Sequence, residues 1–197
     1  DAVFSCMDEP SHIMLNDGKG NFTESSQKFQ GQLHGIAIGD LDNDGDKDLF
    51  FSHLTTGLQS PVYFNNGKGN FTISAIEIDN GVGIQLFDIE NDGDLDAIVE
   101  HPKGDLIYLN NGKGNFTKSS AELPGYSNFY DLDGDGFTDL FSKEEGKGYR
   151  IYLNDKKGKF KESGFVPKAD LISRFTAFAD VDNDGDIDVI YTNGEVK

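Results

Sequence analysis

The stretch Asp40-Leu-Asp-Asn-Asp-Gly-Asp-Lys-Asp48 sets a carboxylate at every second position and one glycine at its sixth. The pattern returns as Asp88-Ile-Glu-Asn-Asp-Gly-Asp-Leu-Asp96, Asp131-Leu-Asp-Gly-Asp-Gly-Phe-Thr-Asp139 and Asp180-Val-Asp-Asn-Asp-Gly-Asp-Ile-Asp188. These four stretches hold 19 of the chain's 35 acidic residues, and Lys47 is their only basic residue. The formal charge of −18 over 197 residues is thus concentrated in four short segments, outside which acid and base balance at 16 each. Phosphate recognition needs clustered Lys and Arg, so the composition excludes a nucleic-acid binder of the usual electrostatic kind.

Four carboxylates about 5 Å apart repel by roughly 3 kcal/mol per pair at an effective dielectric of ~20, or ~20 kcal/mol over about six pairs. That exceeds the stability of a typical domain. A folded loop of this composition therefore calls for a cation. Oxygen-only donors at alternate positions suit hard Ca²⁺ better than zinc or copper. Side chains at loop positions 1, 3, 5 and 9 donate oxygens, position 7 offers its backbone carbonyl, and the glycine at position 6 permits the reversal. The expected ligands are Asp40, Asp42, Asp44, Asp46 and Asp48; Asp88, Glu90, Asp92, Asp94 and Asp96; Asp131, Asp133, Asp135, Phe137 and Asp139; and Asp180, Asp182, Asp184, Asp186 and Asp188. About four structural calcium ions are expected.

An EF-hand also opens Asp-x-Asp-x-Asp-Gly, but it needs a bidentate Glu at position 12 and flanking helices. Position 12 here is Phe51, Val99, Ser142 or Tyr191, and short β-type runs such as Leu49-Phe50-Phe51 and Val189-Ile190-Tyr191 follow the loops. The loops therefore join strands, with the position-9 Asp in place of the EF-hand Glu.

The loops start at 40, 88, 131 and 180, and a second element recurs between them. It reads Leu15-Asn-Asp-Gly-Lys-Gly-Asn-Phe22, Phe64-Asn-Asn-Gly-Lys-Gly-Asn-Phe71, Leu109-Asn-Asn-Gly-Lys-Gly-Asn-Phe116 and Leu153-Asn-Asp-Lys-Lys-Gly-Lys-Phe160. Asp-Gly and Asn-Gly between an apolar run and a Phe-led run predict a tight β-hairpin. No helix follows the Gly-Lys-Gly core, so it reads as turn chemistry and not as a phosphate cradle. One repeat becomes strand A (35–39), acidic loop, strand B (49–52), strand C (62–64), hairpin and strand D (71–76). Four short strands per ~45 residues match a propeller blade, and the absence of a sustained 3.6-residue apolar stripe excludes helical solenoids. The fold class expected is all-β, a β-propeller of four-stranded antiparallel blades.

The motif Asp-x-Asp-x-Asp-Gly-x-x-Asp followed by a hydrophobic residue, at Asp40, Asp88 (with Glu90 at position 3), Asp131 and Asp180, resembles the FG-GAP and VCBS repeats of calcium-loop β-propellers typified by the integrin alpha-subunit head. The resemblance covers nearly the whole chain. It implies an extracellular location and a non-catalytic binding or adhesion scaffold whose protein or glycan ligand meets a propeller face. Lectins and propeller modules of polysaccharide-active enzymes belong to the same group and are the alternatives; a subunit of an extracellular fibre is a third. Asp1-Ala-Val-Phe-Ser5 aligns with Asp48-Leu-Phe-Phe-Ser52. Residues 1–197 are therefore read as one propeller segment: a partial blade of strands B to D over 1–30, blades over 31–79, 80–122 and 123–168, and a partial blade of strands A and B over 169–197. An arc of a larger propeller, typically seven-bladed in this group, is favoured over a compact four- or five-bladed ring. Split terminal blades also allow neighbouring copies to complete each other.

His12, His34, His53 and His101 share no repeat position, and no nucleophile or carboxylate partner follows from their spacing, so no catalytic residue is assigned. Asn21-Phe-Thr23, Asn70-Phe-Thr72 and Asn115-Phe-Thr117 are candidate N-glycosylation sites at the hairpins. Tyr63, Tyr108 and Tyr152 recur on strand C, where packing is favoured over sugar stacking. Cys6 is the only cysteine, which excludes an internal disulfide and a thiolate metal site. No apolar run approaches the ~18 residues that a membrane-spanning helix needs.

Overall fold

The computed structural model describes residues 1–121, 123, 126–144, 146–165 and 176–191. Among them are seventeen β-strands and no helix. The chain divides into two compact units. One comprises Asp1–Phe87, Gly93–Pro102 and Leu106–Ser119; the other comprises Asp88–Asp92, Lys103–Asp105 and Ser120–Lys197.

The first unit carries three antiparallel sheets, each in simple sequential order. β1 (Ala2–Phe4), β2 (Ser11–Asn16) and β3 (Phe22–Phe29) form a three-stranded sheet. β4 (Leu33–Gly39), β5 (Asp48–His53), β6 (Val62–Asn65) and β7 (Phe71–Ile73) form a complete four-stranded blade. So do β8 (Gly83–Phe87), β9 (Asp96–Glu100), β10 (Leu106–Asn110) and β11 (Phe116–Lys118). The second unit has the blade β12 (Tyr126–Tyr130), β13 (Asp139–Glu144), β14 (Gly148–Asn154) and β15 (Phe160–Glu162), and the pair β16 (Thr176–Ala179) and β17 (Asp188–Tyr191).

Strand A of the second sheet starts at Leu33, two residues before the expected boundary, because Leu33 pairs with His53 across a register shift between Leu33 and Ile36. Strand D ends at Ile73, short of the expected Ile76. The chain leaves the sheet edge there, packing Ile76 against a core that holds Ile78 fully buried.

Strand B explains why the blades stack. Every residue of β5 is buried, so it reads as an unbroken apolar run instead of an alternating one, as a strand covered on both faces does. The period of two still operates within it. Leu49 and Phe51 pack with Ile13, Phe29 and Leu33, with Val3 against them, while Phe50 joins Leu41, Val62, Ile84, Ala97 and Tyr108. One strand thus supplies two adjoining cores, with Phe29 and Phe51 5.3 Å apart by ring centroid in one and Phe50 and Phe116 5.8 Å apart in the other. Phe29, Phe50 and Phe51 are fully buried, and each contributes roughly 1.5–3 kcal/mol by area. In the second unit Phe141 of β13 stands 5.1 Å from Tyr149 and 5.3 Å from Phe178, and Tyr130 stacks on Phe178 at 4.1 Å.

Candidate metal loops and their supports

Each acidic loop folds on its own backbone donors. The Asp40 carboxylate accepts the N–H groups of Asp44 (3.2 Å) and Gly45 (3.0 Å); Asp131 does the same for Asp135 (3.1 Å) and Gly136 (2.9 Å), and Asp180 for Asp184 (3.2 Å) and Gly185 (3.0 Å). The position-5 carboxylates of Asp44, Asp135 and Asp184 accept the N–H of the position-7 residue at 2.9–3.0 Å. Such a spiral needs left-handed backbone. Asn43, Asn183 and Gly134 supply it at position 4 (φ 58°, 61° and 73°), and Gly45, Gly136 and Gly185 at position 6 (φ 95°, 88° and 97°).

The result gathers carboxylate oxygens of Asp40, Asp42 and Asp48 within 4.8 Å of one another, and likewise Asp131, Asp133 and Asp139, and Asp180, Asp182 and Asp188. Residues of the second loop are divided between the units. In one, Asp88 accepts the Asp92 N–H at 3.0 Å and burial among like charges raises the affinity of Glu90 for a proton; in the other, Asp96 is buried and Asp94 accepts the Asn43 side-chain amide at 2.6 Å.

Position 9 is the anchor. Asp48 is buried; its Oδ2 accepts the Leu41 N–H at 2.8 Å and its Oδ1 the Asn65 N–H at 2.8 Å. Asp139 repeats this with Leu132 (3.0 Å) and Asn154 (2.8 Å). Asp96 accepts from Asn110, and Asp188 from Val181. The acidic loop is thereby tied to the strand C that runs into the hairpin. Burial holds the carboxyls of Asp48 and Asp139 above the ordinary range, as it does Asp42 with help from Asp44.

The donor set fits a hard divalent cation. Every grouped atom is a carboxylate oxygen, and among the described residues Asp42 Oδ1 is buried with no hydrogen-bond partner. A buried acceptor left unpaired costs about 1–3 kcal/mol, and more when ionised, so a ligand at that oxygen relieves the loop. Asp40, Asp42, Asp44, Asp48 and the Asp46 carbonyl are the groups that would hold it, with the equivalent residues of the loops that begin at Asp131 and Asp180.

The sequence missed the asparagines at the start of each hairpin. Asn110 Nδ2 donates to the Leu41 carbonyl at 2.8 Å and the Leu95 carbonyl at 3.1 Å; Asn154 Nδ2 donates to Ile89 at 2.8 Å and Thr138 at 3.0 Å. Both side chains are buried. Each precedes an Asn-Gly or Asp-Lys turn in the sequence, a pattern that marks the hairpin and carries no sign of these long-range bonds. Also unforeseen is Asp79, which accepts from the Tyr108 hydroxyl at 2.7 Å and pairs with Lys118; Glu144 similarly pairs with Tyr152 and Lys147. Tyr63 packs against the Phe29–Phe51 core. His34 shares a hydrogen bond with the Val82 carbonyl at 2.6 Å, while the buried His53 accepts the Thr55 N–H at 3.2 Å. Asn21, Asn70 and Asn115 and their sequon threonines are exposed.

A groove of about 530 Å³ opens in the first unit, walled by Val3, Ile13, Leu15, Ile38, Leu49 and Phe71, with the polar groups of Asp1, Lys47, Asn65 and Lys68 beside them.

Four-stranded sheets in sequential order, joined by acidic loops between strands A and B, define a β-propeller built of repeated blades. The model of the FG-GAP-like repeat matches residues 1–51 and 131–191, and the chain belongs to that family. Among solved structures it is similar to an Agrocybe aegerita lectin that recognises non-reducing terminal N-acetylglucosamine. The identity is 17 %, the TM-score 0.51, and the match covers 96 % of this chain and 73 % of the lectin. A component of the Photorhabdus luminescens Tc holotoxin pore matches at 19 % identity and a TM-score of 0.43, over 93 % of this chain and 10 % of that one. No curated protein sequence matches the chain.

Proposed function

We propose that the chain is a calcium-stabilised propeller module that acts outside the cell as a non-catalytic binding scaffold, its ligand meeting loops on a blade face. The observation that carries this reading is the buried, unpartnered Asp42 Oδ1 inside a carboxylate group already tied to strand C through Asp48. Millimolar calcium, as found outside cells, fills even weak oxygen sites, and each ion bound only by the folded state adds to its stability. Adhesion and N-glycan attachment at Asn21, Asn70 and Asn115 belong to this reading. Calcium stoichiometry and a melt with and without chelator test it: about four ions per chain and a melting temperature that falls by ten degrees or so without them are expected. An unchanged melt with no bound calcium would refute it.

A glycan is the second candidate ligand, favoured by the similarity to the N-acetylglucosamine-recognising lectin. Apolar walls beside a few polar groups, as in the groove of Val3, Ile38 and Phe71 near Asp1 and Asn65, suit a sugar ring. A glycan array in calcium buffer decides between the two, since selective sugar retention supports the glycan and a blank array supports a protein ligand.

A further inference from the structure

The third acidic loop differs from its siblings at two places that touch. Position 7 is Asp46 in the first loop and Asp94 in the second, and each of these carboxylates lies where a side chain on the hairpin glycine, Gly67 or Gly112, would project. In the third loop position 7 is Phe137, and the equivalent hairpin residue is Lys156. Lys156 keeps the left-handed backbone of those glycines (φ 67° against 73° and 68°), a conformation that L side chains adopt only at a cost. Its ammonium sits 4.8 Å from the centroid of the Phe137 ring and 3.0 Å from Asp135 Oδ2.

Asp135 is the position-5 donor. Its Oδ1 accepts the Phe137 N–H at 3.0 Å, and Lys156 engages the other oxygen of the same carboxylate, Oδ2. Among the described residues no ammonium or guanidinium pairs with the corresponding Asp44 or Asp184, and Lys47 pairs with no carboxylate. The third loop also has four carboxylates where the others have five.

We propose that Lys156 is a tethered cation that competes with the bound ion for Asp135, which makes the loop Asp131–Asp139 the weakest of the calcium loops and the first to empty. The inference rests on the calcium reading above. Ligand charge count is a main determinant of calcium affinity, and a fixed positive charge within ion-pair distance of one donor acts against a dication at that loop. The Phe137 ring holds the ammonium in place, a contact that an aspartate at position 7 would replace with a direct ion pair. Graded release follows: as calcium falls, the loop beside β13 loosens while the loop beside β5 stays filled.

The test uses the full chain labelled with ¹⁵N-glycine. Gly45, Gly136 and Gly185 each donate to the position-1 carboxylate of their own loop, so each amide signal reports its own loop. On titration with calcium from the chelated state, Gly136 is expected to shift at about tenfold higher free calcium than Gly45 and Gly185. Lys156→Met keeps the stem and removes the charge; Lys156→Gly restores the residue of the sibling hairpins. Both are expected to bring Gly136 to within about twofold of the other two without moving them. Simultaneous shifts in the parent protein, or a Gly136 midpoint unmoved in both variants, overturn the inference and leave the calcium reading intact. Absence of any glycine shift overturns both.

Discussion

Asp48 Oδ1 accepts the backbone N–H of Asn65 at 2.8 Å, so the last residue of the acidic loop is fastened to the strand that enters the hairpin. The Leu41 N–H occupies its other oxygen. Position 9 therefore does two things at once: it belongs to the carboxylate group and it closes two backbone donors inside the blade. Asp48→Asn leaves only one acceptor and turns an amide N–H₂ toward a donor. A loss of about 2 kcal/mol or more is expected in urea melts at saturating calcium, and the same for Asp139→Asn. Asp46→Asn, whose side chain anchors no such pair, is expected to stay within about 0.5 kcal/mol.

The buried carboxyls set the sign of the pH dependence. Burial raises Asp48 and Asp139 in the folded protein above the ordinary value they have when unfolded. The folded state then binds more protons than the unfolded state between the ordinary carboxylate range and the raised values. Stability from these groups grows as pH falls through that window and is lost as pH rises. Asp79 and Glu144, held low by Lys118 and Lys147 with help from Tyr108 and Tyr152, act in the opposite sense, but only at more acid pH, as pH falls from the ordinary carboxylate value through their folded values. In chelator, the melting temperature should rise as pH falls from neutrality toward the ordinary carboxylate range. With calcium present, protons compete for the same oxygens and the trend should reverse. Parallel slopes in the two buffers would contradict the assignment of these carboxyls as ligands.

Hairpin glycines separate backbone strain from crowding. Gly18 and Gly112 share a left-handed backbone (φ 74° and 68°), yet a Cβ at Gly18 meets nothing within 4 Å while one at Gly112 meets the Asp94 carboxylate. Gly18→Ala is expected to cost about 1 kcal/mol, the strain alone. Gly112→Ala is expected to cost roughly twice that, and Asp94→Ala in the same chain should return most of the excess. Denaturant midpoints of the four variants complete the cycle. Equal losses at both glycines would show that Asp94 yields freely.

Much of this architecture was legible because its signals are local. A run such as Asp40–Asp48 carries its own ligand spacing, its own φ-permissive residues and a following apolar strand, so loop, strand B and period could be read from the letters. What could not be read is long-range. The Asn110–Leu41 contact spans 69 residues, and nothing at Asn110 distinguishes a blade-to-loop donor from an ordinary turn residue. Strand ends were missed for the same reason. Residues up to Ile76 read as a continuing strand until the core that takes Ile76 and Ile78 is present, and Leu33 joins its strand only through His53.

Asn110 offers the sharpest test of how blades are held to their neighbours' loops. Its side-chain amide is buried and donates to two carbonyls, Leu41 of one acidic loop and Leu95 of another, while its backbone N–H is held by Asp96. Asn110→Ala removes both donors and leaves two carbonyls in a site that water reaches poorly, so about 2–3 kcal/mol is expected to be lost. Asn65, whose Nδ2 donates to the Lys47 carbonyl at 3.2 Å in an exposed setting, should lose under about 1 kcal/mol on the same change, because solvent can replace the donor. The two variants keep every acidic residue, so charge repulsion in the loops is untouched and calcium affinity changes only through the geometry of the loop backbone. Hydrogen exchange at the Leu41 and Asp48 amides would then quicken in Asn110→Ala and stay slow in Asn65→Ala. Equal losses in the two would mean that the Leu41 and Leu95 carbonyls find water, and that the inter-blade amide is packing alone.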